Sequence, residues 1–197
     1  MTKDLILALA AFAFVSSITP GPNNLMLMAS GANFGLRRTV PHMLGVGIGF
    51  GLMLVLVGLG LSGLFAAWPP AALILKVVSV TYLLWLAWKI ANAAPPEDRA
   101  AAGKPMTFLQ AAAFQWVNPK AWTMSLSAVT LYAPGREVAS VLMVALVFGL
   151  VNMPSVAIWA SMGVQMRRFL KTPARLRRFN IAMALLLVAS LYPVLAA

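Results

Sequence analysis

The chain has 197 residues, 61% of them hydrophobic and 10% charged, against about 45–50% apolar and about 25% charged in a soluble domain. No soluble core of this length hides so much apolar surface, so the class is membrane. Cysteine is absent, which excludes disulfides, thiolate metal sites and cysteine nucleophiles; the net charge of +11 gathers in short loops, where it speaks of membrane topology rather than of nucleic acid.

Six apolar runs are long enough to span a bilayer, for which a helix needs about 20 residues. The first runs from Leu5 to Ser30. Lys3 ahead of it resembles the start of a signal peptide, but the run continues to Met28, too long for a signal core. Within it stands Thr19-Pro20-Gly21-Pro22-Asn23-Asn24. Each proline removes a backbone donor and crowds the preceding turn, so the helix is expected to open there. The second span runs from Thr39 to Ala67 and is ended by Trp68-Pro69-Pro70. Its glycines include Gly45/Gly49 and Gly47/Gly51, a spacing that lets helix backbones approach closely. Packing within the monomer is the plain expectation, and a homodimer face is the alternative.

The third span runs from Ala71 to Ala93, with Lys76 placed to snorkel toward an interface. A polar linker, residues 94–106, then separates a first half, 1–93, from a second, 107–197. The fourth span runs from Thr107 to Leu131 and contains Val117-Asn118-Pro119-Lys120, a second proline break flanked by polar residues. Gln115 precedes Asn118 by one helical turn and shares its face. The fifth span, Val138 to Gly163, carries Asn152 and Pro154, read as a milder break with Asn152 joining the polar interior. The sixth runs from Phe179 to Leu195.

Of the basic residues, Arg37 and Arg38, then Lys89, Arg99 and Lys104, then Arg167, Arg168, Lys171, Arg175, Arg177 and Arg178 fall in or beside the odd-numbered loops. Only Lys3 and Arg136 fall on the other side. The positive-inside rule then places the odd loops in the cytoplasm and both termini outside. Three spans, a linker and three spans cross in opposite senses, the arithmetic of an inverted repeat. The expected fold is therefore an all-α membrane protein of six transmembrane helices, two inverted three-helix repeats with helices one and four broken.

Interrupted helices at matching places in two halves point to a transport site. Broken backbone at membrane depth must be buried in protein or line a water-filled cavity. Asn23, Asn24 and Asn118 offer donors and acceptors to the freed groups, and a helix N-terminus suits a carboxylate. A helix merely kinked and capped by asparagine is the bland alternative. Lys120 inside a span costs roughly 2.5–3.5 kcal/mol on insertion scales. Asp4, Glu97, Asp98 and Glu137 all lie in loops or ends. The ammonium is left to the freed carbonyls of the first span, to a substrate carboxylate, or to an interface. Intramembrane Asp, Glu or His residues often carry protons in such carriers; none is read within these spans, so coupling falls to Lys120 or to loops.

The pair of motifs, TPGPNN and VNPK, resembles the lysine-exporter and homoserine/threonine-resistance (LysE/RhtB) family. Gly31, Gly35, Arg37, Gly45 and Gly49, then Leu75-Lys76, Tyr82-Leu83 and Trp88-Lys89, then Phe114, extend the resemblance along most of the chain. Ser79, Ala87 and Thr39 depart from the family's usual small residues. The resemblance implies a secondary transporter in the bacterial inner membrane that exports amino acids or small derivatives, driven by the proton motive force. The residues expected to bind substrate are Thr19, Pro20, Gly21, Pro22, Asn23, Asn24, Gln115, Asn118, Pro119, Lys120 and Asn152. Amino acid and membrane lipid are the expected partners; no cofactor, metal or nucleic acid is expected. A structural or signalling subunit is the alternative function. An enzyme is not expected: Gly60-Leu61-Ser62-Gly63 resembles an intramembrane serine protease string, but His42 lies about 20 residues earlier, roughly 30 Å along a helix.

Overall fold

The computed structural model describes all residues except 62, 94–103, 193–194 and 196–197. Ser62 and most of the linker therefore lie outside the described residues. The first apolar run forms two helices, α1 (Lys3–Ile18) and α2 (Pro22–Phe34), bent by 54° across Thr19-Pro20-Gly21. Pro22 opens α2 as its first residue, where a missing N–H costs nothing. Gly35, at φ 80, turns the chain into α3 (Leu36–Leu56), and only glycine adopts that backbone freely.

A wide turn at Val57–Leu61 follows, with Gly60 at φ 120, and then the short α4 (Gly63–Ala67). The end of the second span is thus kinked, which its glycines were not read to do. Trp68-Pro69 separates this from α5 (Pro70–Ala91). A Thr107/Gln110 capping box starts α6 (Phe108–Phe114). A tight turn at Gln115–Val117 and Asn118 lead into α7 (Pro119–Tyr132). The chain ends in α8 (Val138–Met166) and α9 (Pro173–Ala189).

Two sequence expectations need correction. α8 runs through Pro154 unbroken. A lone proline removes one hydrogen bond and neighbouring groups absorb the loss, whereas TPGP and NP each combine proline with a residue that starts a new helix. The sixth helix begins earlier than expected, at Pro173, because Thr172 accepts the Arg175 amide and caps it. Arg175, Arg177 and Arg178 therefore occupy its first turns instead of the loop.

The helix carrying residues 36–61, α5 and α8 are long and apolar enough to cross a membrane, with mean hydropathies of 2.3, 1.8 and 2.3, and the bent α1–α2 pair makes a fourth candidate. The chain is an all-α, multi-pass membrane protein. Leucines and isoleucine at four-residue spacing, Leu44, Ile48 and Leu52 on α3 and Leu142, Leu146 and Leu150 on α8, form outward stripes. The inward faces carry Val46, Phe50 and Met53, and Val141, Val144 and Phe148. Phe148 receives Phe12 and Phe50 edge-on, at 5.9 and 5.5 Å between ring centres.

Glycines set the closest approaches. A Cβ on Gly31 of α2 would strike the Ala160 carbonyl of α8, and one on Gly163 of α8 would strike the Met28 carbonyl of α2. Gly45 and Gly49 seat α6 in the same way, against Phe108 and Ala112, while Gly47 faces Met153. These contacts are internal, as expected for packing within the monomer. α1 packs on α8 as α6 packs on α3, and α5 pairs with α9.

Candidate functional site

The break between α1 and α2 exposes the last carbonyls of α1, which no helical amide can reach. Each finds a donor. The Thr19 amide donates to the Val15 carbonyl and the Thr19 hydroxyl to that of Ser16, at 3.2 and 3.1 Å. Asn24 Nδ2 donates to the Ser17 and Thr19 carbonyls at 2.8 and 2.9 Å. The Trp159 indole of α8 donates to Ile18 at 3.0 Å. Lys120 Nζ then reaches across from α7 to the Thr19 carbonyl and hydroxyl, both at 2.8 Å, and to the Pro20 carbonyl at 3.3 Å. Of the partners open to Lys120 from sequence, the freed carbonyls are the ones it takes.

Close approach requires Gly21: a Cβ there would stand 2.6 Å from Lys120 Cδ. The second break is closed by its own residues. Asn118 Oδ1 accepts the Lys120 amide at 3.2 Å, and the Trp122 indole donates to the Trp116 carbonyl at 2.9 Å. Asn23 and Gln115 join the two breaks through a reciprocal amide pair, at 2.8 and 3.1 Å. Asn152 Nδ2 donates to the Ser17 hydroxyl at 3.2 Å, while its buried Oδ1 has no partner among the described residues.

Asn23, Asn24, Asn118, Lys120 and Asn152 surround a small void of about 20 Å³, room for roughly one water, which needs about 10–15 Å³. Pro20, Gly21, Pro22, Pro119 and Lys120 also wall a much larger open cleft of about 780 Å³. All eleven residues expected at a substrate site thus lie in or beside one polar seam. The cleft adds two that were missed. Lys76 of α5, expected to snorkel, lines it together with Lys120, and Ser79 borders it with a buried hydroxyl that has no partner among the described residues. Ser79 carried a signal only as a polar residue standing where small residues are usual. Trp159 was missed because an indole in an apolar run resembles any other hydrophobe.

A second polar cluster lies toward the other end of α2. Asn33 and Asn180 form a reciprocal pair between α2 and α9 at 2.8 and 3.1 Å. Ser30 and Thr39 hydroxyls meet at 2.9 Å. Next to them His42 is buried inside α3, both ring nitrogens without a hydrogen-bond partner among the described residues. This corrects the expectation that no histidine is available within the spans: His42 falls inside the second span as bounded from Thr39, and α3 buries it. Among the described residues no group of His, Cys, Asp and Glu could hold a metal.

Two broken helices whose ends meet in a polar, lysine-bearing seam define a membrane carrier of the discontinuous-helix kind. The chain belongs to the LysE type translocator family, whose model matches residues 14–190. This is a family of translocators, so the enzyme and non-transport readings both fall away. The chain is similar to proteins named cysteine/O-acetylserine efflux protein in Escherichia coli (strain K12) and Shigella sonnei (strain Ss046). Each is 32% identical over 191 residues, covering 95% of this chain and 96% of the relative. No solved structure matches the chain significantly.

Proposed function

We propose that this protein exports small amino acids, or derivatives such as the cysteine and O-acetylserine of its relatives' names, across a bacterial inner membrane. The observation that carries the reading is Lys120. Its ammonium rests on carbonyls that α1 can offer only because the helix is broken there. A substrate ammonium can take the same carbonyls, which leaves the lysine to meet the substrate carboxylate. Asn23, Asn118 and Asn152 supply the remaining polar partners, and Lys76 and Ser79 receive the substrate in the cleft.

Six spans arranged as two inverted repeats fit this site. The reciprocal packing of α1 on α8 and α6 on α3 supports that arrangement, with the short α6, α7 and α9 completing the second half. The termini face outward and the Arg-rich α8–α9 end faces the cytoplasm, on the charge rule. The cycle is driven by the proton gradient. Efflux of a panel of labelled amino acids from proteoliposomes, with and without that gradient, tests the reading. Asn118→Ala and Lys120→Ala are each expected to abolish efflux while the protein still inserts. Normal efflux by both variants, or no selective efflux by the wild type, would overturn it.

A further inference from the structure

Cations crowd the end of the molecule that carries the α2–α3 turn and the α8–α9 connection. Arg37 and Arg38 follow the turn, and Arg167, Arg168 and Lys171 follow α8. Arg175, Arg177 and Arg178 stand in the first turns of α9. All of them are exposed. The fold gathers them into one surface. Arg167 passes the α2–α3 turn so closely that a Cβ on Gly35 would stand 2.9 Å from its Nη1. Arg175 Nη1 donates to the Phe169 carbonyl at 3.5 Å. The Asn33–Asn180 pair fixes the start of α9 beside the end of α2. The described acidic residues, Asp4 and Glu137, stand instead at the starts of α1 and α8.

Membrane topology does not ask for this arrangement. Lysine and arginine serve the positive-inside rule alike, yet every member of the cluster but Lys171 is arginine. The planar guanidinium fork matches a phosphate bidentately, which an ammonium does not. The N-terminus of a helix also repels cations through its dipole, yet α9 opens with arginines. An anion seated among them relieves both kinds of repulsion.

The nature of that anion is set by what lies below the arginines. On α9, Arg178, Ile181 and Leu185 recur at helical spacing and are all exposed, so they share one outward face. On α3, Arg37, Val40, Leu44 and Ile48 do the same. Both helices begin at this end, and helical side chains lean toward the N-terminus. Each arginine therefore leads outward from an apolar stripe. Phe169, exposed in the connection, holds the Arg168 guanidinium 5.2 Å from its ring centre. A phosphate above an acyl chain is the complement of an arginine above such a stripe; a soluble anion would use the arginines alone.

We propose that this end of the molecule is a binding surface for anionic phospholipid, with the guanidiniums taking headgroup phosphates and the stripes on α3 and α9 taking the acyl chains. The surface is independent of what the chain exports, so its test needs no transport. The test is the melting temperature of the purified full chain in neutral detergent, titrated with dioleoylphosphatidylglycerol, with dioleoylphosphatidylcholine or with inorganic phosphate. Phosphatidylglycerol is expected to raise it at a concentration about tenfold below that of phosphatidylcholine, the scale that a few cations near an anionic surface give. Inorganic phosphate is expected to leave it unchanged. Arg168→Gln/Arg177→Gln/Arg178→Gln is expected to erase the preference for phosphatidylglycerol while melting as wild type without lipid. Lys3→Gln/Arg136→Gln, at the other end, is expected to retain the preference. Equal effects of the two lipids on the wild type, an equal effect of inorganic phosphate, or an undiminished preference in the triple variant overturns the proposal. The first two comparisons use the wild type alone, so they decide the matter even where the triple variant fails to fold.

Discussion

Among the described residues Lys120 has three oxygen partners and no carboxylate, so its charge is held by dipoles. Such an arrangement persists only where the oxygens are fixed, and here the Ser17 and Thr19 carbonyls are held by Asn24 of α2 and the Ile18 carbonyl by a donor from farther away in the fold. Trp159 does this for Ile18 from α8. Side-chain hydrogen bonds inside membrane proteins average about 0.6 kcal/mol, with a maximum near 1.7. Trp159→Phe is therefore expected to lower stability by about 1 kcal/mol in thermal unfolding in detergent, and Trp88→Phe, on the exposed surface, to leave it unchanged. That Lys120 needs a partner was legible, because a lysine inside a span demands one and the sequence holds few acids to serve; which of freed carbonyls, substrate or interface it takes was not. The role of Trp159 was not legible either, since nothing local distinguishes an indole that caps a distant helix from one that faces lipid. His42 failed for a related reason: its burial depends on what packs around α3, which the local sequence does not show.

At the scale of helices, proline grouping carried most of the information. TPGP and NP both produced breaks where the sequence placed them, because each pairs a lost donor with residues that begin a fresh helix. Pro154 has no such company and α8 passes through it. The start of α9 was hidden because arginines in its first turns mimic a loop. Glycine spacing identified close packing but not the partner: Gly45 and Gly49 receive α6, whereas the tightest approaches are of Gly31 to the Ala160 carbonyl and of Gly163 to the Met28 carbonyl, which no repeat in the sequence connects. Gly31→Leu and Gly163→Val are each expected to destabilise the protein by several kcal/mol or to prevent its accumulation, since overpacking here meets backbone. Gly51→Ala, with nothing within 4 Å of the added carbon, is expected to behave as wild type. Yield and melting temperature in detergent distinguish the two outcomes.

For the molecule as a whole, the sign of the interior charge constrains the cargo. The cleft presents Lys76 and Lys120 and is lined by no acidic residue among the described ones. Lysine and arginine are therefore expected to be exported far more slowly than neutral amino acids, which competition efflux assays would measure. Tags on both termini are expected to be cut by protease added outside intact spheroplasts, as the charge asymmetry requires. The interlocked glycines of α2 and α8 add a mechanical consequence. Each helix seats a carbonyl of the other in a socket without a side chain, so sliding in either direction drives backbone into backbone. The two form one strut. Adjustment of the cleft then falls to α5, which lines it, and to α9. Those two meet through leucine and methionine side chains that can re-pack, such as Leu83, Leu86, Met183 and Leu187.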